Sequence, residues 1–415
     1  MSEFSVPPVR DLARLKLPMV GDVVTTGEPD VPFTITDAAG EQVEPVTEFM
    51  RDFSAGDASR TSCRSYAYDL LRWWRWLAAI GVAWDQVVRT DVRDLVRWLR
   101  TAPNPQRERR REGTPAPGTV NQRTGKRYLA AGYAATTINH QLAVLATFYD
   151  FHLHYGRGPV VSPVPPAGRG GGRPNAHGNP LLPVLPYRRA AYRQKVPDRV
   201  PRALPDDLWN ELFTAMRCNR DRAILATYIS SGVRAGELLG MTCGDVDFGR
   251  ATITVTSKGS RDRQVVPVSP DALVWIRLWL AEGLAAPADQ PLPMSAPLWV
   301  TVRRPARPLN YSALRRILQR ANDKLGANTT LHDLRHTCAM RMMSDPNMTL
   351  ADVQTVLRHK SIASTQVYTR VQLDELITRV QEHHARRAAP PRPRSIPPTT
   401  RRTWPPCSAT GRGDR

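Results

Sequence analysis

Apolar side chains in the first half of the chain recur at helical spacing. Tyr66, Leu70, Trp73 and Leu77 follow one another at steps of four, three and four residues, which puts them on one face of a helix. The residues between them include charged side chains that can point away from that face. The pattern therefore predicts an amphipathic helix with one buried side.

Two further helices are predicted before residue 157. The first follows Thr90, a residue type that caps helix N-termini, and the second begins near residue 136. Both keep an apolar stripe, which comprises Val92, Leu95, Val96 and Leu99 in the first helix and Ile138, Leu142, Leu145 and Tyr149 in the second. We therefore expect residues 46–157 to form a helical domain with a basic insertion at 107–127, and we assign no fold to residues 1–45.

The second half of the chain combines helical spacing with one strand pattern. Residues 251–257 alternate isoleucine and valine with threonine, and a Gly-Ser pair can then turn the chain back toward the valines at 265–266. This arrangement predicts a β-hairpin among helices. The expected fold class is therefore mainly α with a small antiparallel β-sheet (α+β), with a second domain over 204–386.

Two segments lack the apolar residues that a core requires. Residues 158–203 are rich in Pro, Gly and Arg, which is typical of an extended linker between domains. Residues 387–415 are rich in Arg and Pro, so we expect a disordered basic tail.

The charge of the chain narrows the classes of partner. Its 415 residues carry 58 Lys and Arg against 38 Asp and Glu, a formal net charge of +20, which favours a polyanionic partner. No apolar run approaches the length of a membrane span, so nucleic acid is preferred to a membrane. Five scattered cysteines without CxxC spacing indicate neither a disulfide framework nor a structural zinc site, which fits a cytoplasmic setting.

A candidate phosphate site stands at the start of a predicted helix. Thr330 can cap this helix, and Asp333 has the spacing of the reciprocal capping residue. His332 and Arg335 are three residues apart and project on one side, where a guanidinium and an imidazole suit a phosphate. A zinc site at His332 and His336 lacks the Glu of an HExxH helix. Taken alone, a histidine and an arginine at this spacing are more often structural.

Further residues of suitable chemistry occur in the same region. Arg234 follows a Gly turn, Lys258 stands at the hairpin turn, His359 ends a predicted helix, and Tyr368 comes nine residues later. Each has an ordinary structural interpretation as well. Arg234 can form an ion pair with Glu237, the lysine can be a hairpin-tip residue, and the tyrosine can be half-buried in a core.

The ordered set of these residues resembles the active site of the tyrosine recombinases, also called phage integrases. The resemblance rests on the Ser-Gly-Val-Arg-x-x-Glu-Leu box around Arg234, the His-x-Leu-Arg-His box from His332 and the spacing from His359 to Tyr368. It implies a helical core-binding domain over 46–157 and a catalytic domain over 204–386. One departure is Arg358, which stands where the family usually has Gly.

The resemblance also implies a reaction, the cleavage and rejoining of DNA through a 3′-phosphotyrosyl intermediate. Tyr368 would be the nucleophile, His332 its proton acceptor, and Lys258 the proton donor to the leaving 5′-oxygen. Arg234 and Arg335 would hold the scissile phosphate. His359 would add a further donor. No metal and no cofactor is expected, because cationic side chains would cover the phosphate.

The implied partners are double-stranded DNA with specific recombination sites, a homotetramer in the synaptic complex and an accessory directionality factor. The implied task is integration, excision or transposition of a mobile element. The helix with Asn139, His140 and Gln141 is a candidate for reading bases. Two alternatives stay open: a type IB topoisomerase-like enzyme and a catalytically silent DNA-binding protein. RNA binding by the basic tail is compatible with the main interpretation, although no motif supports it.

Overall fold

The computed structural model describes residues 10–105, 115–166, 190–196, 201–257, 261–282 and 293–359. Lys258, Tyr368, the tail over 387–415 and part of the basic insertion lie outside the described residues. Helices and two small antiparallel sheets make up the described part, which confirms the predicted α+β class. No helix that the structure describes is long and apolar enough to cross a bilayer.

The first group of elements contains four helices and a short ribbon. The helices are α1 (Glu44–Ala55), α2 (Arg60–Ile80), α3 (Arg89–Thr101) and α4 (Ala135–His154), and the strands are β1 (Val23–Val24) and β2 (Thr34–Ile35). The predicted face of α2 is buried, with Leu70 and Trp73 fully enclosed and Leu77 nearly so. Residues 31–43, to which the sequence assigned no fold, supply Val31 and Ile35 to the same core.

The start of α3 differs from the prediction. Thr90 lies inside the helix rather than at its N-cap, and its hydroxyl has no hydrogen-bond partner among the described residues. The carboxylate of Asp91 instead accepts a hydrogen bond from the backbone N–H of Val88 at 2.9 Å. A charged acceptor at this position satisfies an N-terminal N–H better than a hydroxyl, so the helix begins before the threonine.

The three polar residues of the helix that is a candidate for reading bases form hydrogen bonds with other residues of the chain. Gln141 is fully buried and donates to the carbonyl of Asp69, so the expectation that it reads bases is wrong. His140 contacts the carboxylate of Asp69 at 2.5 Å. Asn139 forms two hydrogen bonds with the backbone of Gln194, at 2.7 and 3.0 Å, which hold this part of the predicted linker against α4.

A second core forms around helix α6. Its helices are α5 (Asp206–Thr214), α6 (Asn219–Ser231), α7 (Ala235–Leu239), α8 (Pro270–Ala281), α9 (Tyr311–Leu325), α10 (Leu331–Met343) and α11 (Leu350–Leu357). Helix α6 packs against α8 and α10. The described residues of this core are separate from those of the first.

The predicted hairpin is present and has one strand more than expected. Strands β3 (Val246–Asp247), β4 (Thr252–Thr256) and β5 (Arg263–Pro267) form an antiparallel sheet in that order. Ile253 pairs with Val266, and both side chains are buried in the second core. The alternation in the sequence is therefore the alternation of a half-buried strand.

A loop between α3 and α4 reaches across to the second group of elements. We call residues 119–128 the bridging loop. Asn121 donates to the carbonyl of Gly326 at 2.8 Å, and Thr124 contacts Asn328 at 2.5 Å. Lys126 forms an ion pair with Asp333 at 2.5 Å. The loop thereby contacts the turn between α9 and α10 and the first turn of α10, which carries His332.

We expect Asn121→Ala to lower the free energy of unfolding by about 2 kcal/mol, because a buried side chain with several hydrogen bonds is removed. Urea unfolding of the full chain measures this change. Arg127→Ala is the matched control, because Arg127 is exposed and its side chain donates to the carbonyl of Gly118, next to the loop, and the variant should stay within about 0.5 kcal/mol of the wild type. Equal effects of the two variants would contradict the role given to Asn121.

Candidate active site

The helix that carries the phosphate-site residues begins as the sequence predicts. The carboxylate of Asp333 accepts a hydrogen bond from the backbone N–H of Thr330 at 2.7 Å, and the threonine hydroxyl accepts one from the N–H of Asp333 at 3.4 Å. This reciprocal cap fixes the first turn of α10. It places His332 in that turn and Arg335 one residue beyond it, where Arg335 contacts the ends of α6 and α11.

Arg335 holds the candidate site together. Its side chain is almost fully buried, and its guanidinium donates hydrogen bonds to the carbonyls of Gly232 and Leu357. The first carbonyl lies two residues before Arg234, and the second lies two residues before His359. One buried cation therefore brings the three sequence motifs into contact.

Gly232 permits this close approach. Its φ of +58° lies in the left-handed region, and a Cβ at this position would come within 2.6 Å of Leu357 Cδ2 and 3.3 Å of Cys338 Sγ. Both the backbone conformation and the packing therefore require glycine here. The turn that leads into Arg234 lies directly on α10 and α11 as a result.

Arg234 stands at the mouth of the cluster, and its side chain is 38% exposed. Its backbone N–H and one guanidinium nitrogen donate to the two oxygens of Glu237, at 2.9 and 2.6 Å. A second guanidinium nitrogen donates to the carbonyl of Arg358 at 3.2 Å. The ion pair between Arg234 and Glu237 that the sequence allowed is therefore present, and it orients a solvent-accessible guanidinium.

Arg358 occupies an unexpected position within the cluster. Its backbone is left-handed, with φ 55° and ψ 46°, and it caps the C-terminus of α11. Its guanidinium turns inward to Glu237 at 2.7 Å and to the carbonyl of Val356 at 2.6 Å. From the sequence, this residue is only a departure from the family pattern at the turn. The signal that could have found it is an arginine at a position where the family usually has Gly.

The buried Glu237 remains ionised. Burial by itself would raise the pKa of this carboxyl, but the hydrogen bonds and charges of Arg234 and Arg358 outweigh it and hold the pKa below the ordinary value. Two guanidinium groups therefore share one buried anion.

Three histidines gather beside the arginines, and the pKa of each is lowered. Burial, together with the charges of Arg335 and Arg234, lowers the pKa of His359 to about 4. Burial and the neighbouring His332 lower the pKa of His336 to about 4, and the two rings lie 4.0 Å apart between centroids. Burial also lowers the pKa of His332. A neutral imidazole can accept a proton as well as donate one.

The site therefore unites four of the six predicted residues: Arg234, His332, Arg335 and His359. Lys258 and Tyr368, the other two, lie outside the described residues and stay predictions. Among the residues that the structure describes, no three His, Cys, Asp or Glu side chains gather as ligands of a metal ion would. The described arrangement is a group of guanidinium and imidazole donors suited to an anion.

Comparison with known proteins assigns the family. Residues 203–375 match the phage integrase family, and residues 46–111 match the phage integrase N-terminal SAM-like domain. The chain belongs to the tyrosine recombinase, or phage integrase, family, whose enzymes catalyse site-specific DNA recombination.

Individual relatives agree with this assignment. The tyrosine recombinase XerC of Halalkalibacterium halodurans is 27% identical over 261 residues, which are 61% of this chain and 77% of the relative. XerC of Corynebacterium glutamicum is 34% identical over 168 residues, which are 40% of this chain and 52% of the relative. The match to the second relative thus spans about half of its length.

A solved structure shows the same fold. It is a crystal structure of the XerH site-specific recombinase bound to a palindromic difH substrate in a post-cleavage complex. The similarity has a TM-score of 0.52 at 15% sequence identity and covers 81% of this chain and 88% of the other.

We expect Gly232→Ala to lower the free energy of unfolding by more than about 2 kcal/mol, because it combines left-handed strain with a clash against Leu357. Gly326→Ala is the matched control: it has φ +63° but no atom within 4 Å of an added Cβ, so only the backbone cost of about 1 kcal/mol remains. Urea unfolding of both variants separates the two contributions. Similar losses in both would show that packing at Gly232 is unimportant.

We expect the free energy of unfolding to fall as the pH drops from about 7.5 to about 5.5. The pKa of His336 and of His359 is about 4 in the folded chain, against an ordinary value of 6.5. The unfolded chain therefore binds protons first, and stability that is present above pH 6.5 is lost on acidification. His336→Gln should show a smaller loss in urea unfolding over the same range. An unchanged loss in this variant would exclude His336 as a contributor.

Proposed function

We propose that this chain is a site-specific recombinase that cleaves and rejoins duplex DNA through a 3′-phosphotyrosyl intermediate, in the integration, excision or transposition of a mobile element. The observation that carries the proposal is the position of Arg335, which contacts the backbone of the motifs of Arg234 and His359. Separated motifs are thereby joined into one group of cationic and imidazole side chains, which supports binding of an anion. A His and an Arg that occurred at this spacing by chance would not be expected to contact the other two motifs.

The proposed ligand of this group is the scissile phosphate. The exposed guanidinium of Arg234 offers forked donors to its non-bridging oxygens. Buried Arg335 would add positive charge from the protein side of the phosphate. The neutral ring of His359 would supply one further hydrogen-bond donor. Fixed cations at a developing charge stabilise the transition state without reorganisation during the reaction.

The proposed chemistry is a transfer of the phosphoryl group from one oxygen to another. The phenolic oxygen of Tyr368 attacks phosphorus and loses its proton to His332. The bond from phosphorus to the 5′-oxygen breaks, and Lys258 supplies the proton that this oxygen takes up. Phosphorus stays bonded to the 3′-oxygen, so the intermediate is a phosphodiester and a 5′-hydroxyl can reverse the step without an external energy source.

The ionisation of His332 supports its role as a base. A phenol with an ordinary pKa of about 10 is protonated at neutral pH and needs an acceptor. Burial lowers the pKa of His332, which favours the neutral ring that can take this proton.

The proposed partner is duplex DNA with specific sites, bound between a DNA-binding domain over 46–157 and a catalytic domain over 204–386. We further propose a homotetramer in the synaptic complex, an accessory directionality factor and a cytoplasmic setting. The excess of positive charge supports a nucleic-acid partner. If about six phosphates are contacted, affinity should fall about a thousandfold between 50 and 200 mM salt.

A type IB topoisomerase-like enzyme would use similar residues, but would relax supercoils as a monomer without a specific site. The match of residues 203–375 to the phage integrase family favours the recombinase. Relaxation of a plasmid that lacks any recombination site would favour the topoisomerase.

We expect Tyr368→Phe to abolish the covalent protein–DNA adduct on a nicked suicide substrate that carries the cognate site, while DNA binding stays near normal. The adduct is measured by denaturing gel electrophoresis, and binding by mobility shift. Tyr155→Phe is the control, because Tyr155 is an exposed tyrosine at the end of α4, and it should form the adduct normally. An adduct that persists in Tyr368→Phe would remove this tyrosine from its role.

A further inference from the structure

The carboxylate of Glu237 is the one anion shared by two arginines at the described site. Its side chain is fully buried. One oxygen accepts from the guanidinium of Arg234, and the other accepts from the backbone N–H of Arg234 and from the guanidinium of Arg358. A buried carboxylate that loses its cation is strongly destabilising. At least one of the two guanidinium groups must therefore stay with Glu237.

The two arginines differ in their freedom to leave. The side chain of Arg234 is 38% exposed, and it lies at the solvent edge of the cluster. The side chain of Arg358 is only 5% exposed, and the carbonyl of Val356 holds its second guanidinium nitrogen. Arg234 can therefore reach an external ligand, whereas Arg358 is fixed.

The backbone of Arg358 indicates that its side chain has a role. A left-handed conformation disfavours any residue with a Cβ, and glycine would adopt it without strain. The arginine nevertheless occupies it and directs its charge inward to Glu237. The observable gain from an arginine at this position is the second ion pair.

We propose that Arg358 is a positioning residue that acts as the permanent counter-ion of Glu237 and thereby frees the charge of Arg234 for the scissile phosphate. This inference rests on the proposed function of the site. When a phosphate draws on the guanidinium of Arg234, the carboxylate stays neutralised by Arg358. The backbone bond from Arg234 to Glu237 need not break, so the start of α7 keeps its geometry.

The alternative is that Arg358 only fills space at the end of α11. In that case, its removal would alter packing but would not change the hold of Glu237 on Arg234. The charge of Glu237 distinguishes the two interpretations. If Arg358 acts through this carboxylate, its effect must vanish when the carboxylate is made neutral.

Unfolding in urea tests whether the two arginines share Glu237, with no need for activity. In the full chain, Arg234→Ala and Arg358→Gly should each shift the midpoint modestly, because one cation remains. The double variant should shift it by more than the sum of the two, because the buried carboxylate is then unpaired. Arg358→Gly also relieves backbone strain, but this relief is the same in the single and the double variant and therefore does not affect the comparison. When Glu237→Gln is added, the shift of the double variant should equal the sum of the two single shifts. If the shifts are already additive with Glu237 in place, the two arginines do not share this carboxylate.

Adduct formation at saturating cognate DNA tests the catalytic consequence. We expect Arg358→Gly to slow formation of the adduct at least tenfold, with Arg358→Lys recovering part of the rate because it restores the charge. In the E237Q background, Arg358→Gly should slow the reaction less than threefold. A tenfold loss in both backgrounds would show that Arg358 is only structural, and no loss in either would overturn its positioning role.

The two measurements separate failure of this inference from failure of the proposed function. If the wild-type chain forms no adduct on any site, the proposed function is wrong, and the release of Arg234 toward a phosphate is wrong with it. The unfolding experiment would still decide whether Glu237 is shared. If the wild type forms the adduct but Arg358→Gly slows it equally with Glu237 and with Gln at position 237, the function stands and the inference about Arg358 is overturned.

Discussion

A buried guanidinium governs the geometry of the described site. Arg335 lies in the second core, where an isolated charge would be costly, and two main-chain carbonyls from distant parts of the chain accept its hydrogen bonds. Because those carbonyls belong to a left-handed Gly turn and to the end of α11, their segments cannot move independently of α10. The solvent-facing Arg234 and the neutral His359 owe their positions to this constraint.

Local patterns in the sequence were sufficient for the elements that depend on local physics. The buried face of α2, the hairpin of β4 and β5 and the reciprocal cap of α10 follow from side-chain period and capping chemistry. The predicted start of α3 was wrong because the carboxylate of Asp91, rather than the hydroxyl of Thr90, accepts the hydrogen bond from the N-terminal N–H. Both residues are typical of helix starts, and the sequence does not rank them.

Interactions between residues far apart in the chain could not be predicted from the sequence. The inward turn of Arg358, the burial of Gln141 and the packing of residues 31–43 depend on which surfaces meet, which no local period encodes. The motif order was nevertheless informative, since it selected Arg234, His332, Arg335 and His359 before their contacts were known. For Lys258 and Tyr368, the spacing of the motifs remains the basis of the assignment.

The bridging loop has a consequence for how such chains can diverge. Its side chains contact the α9–α10 turn and the start of α10, with Asn121 on Gly326, Thr124 on Asn328 and Lys126 on Asp333. An N-terminal half that carried a different loop would lose these three contacts. The loop and the residues that it contacts must therefore change together in this chain, and a chimera that separates them would need compensating substitutions on one side.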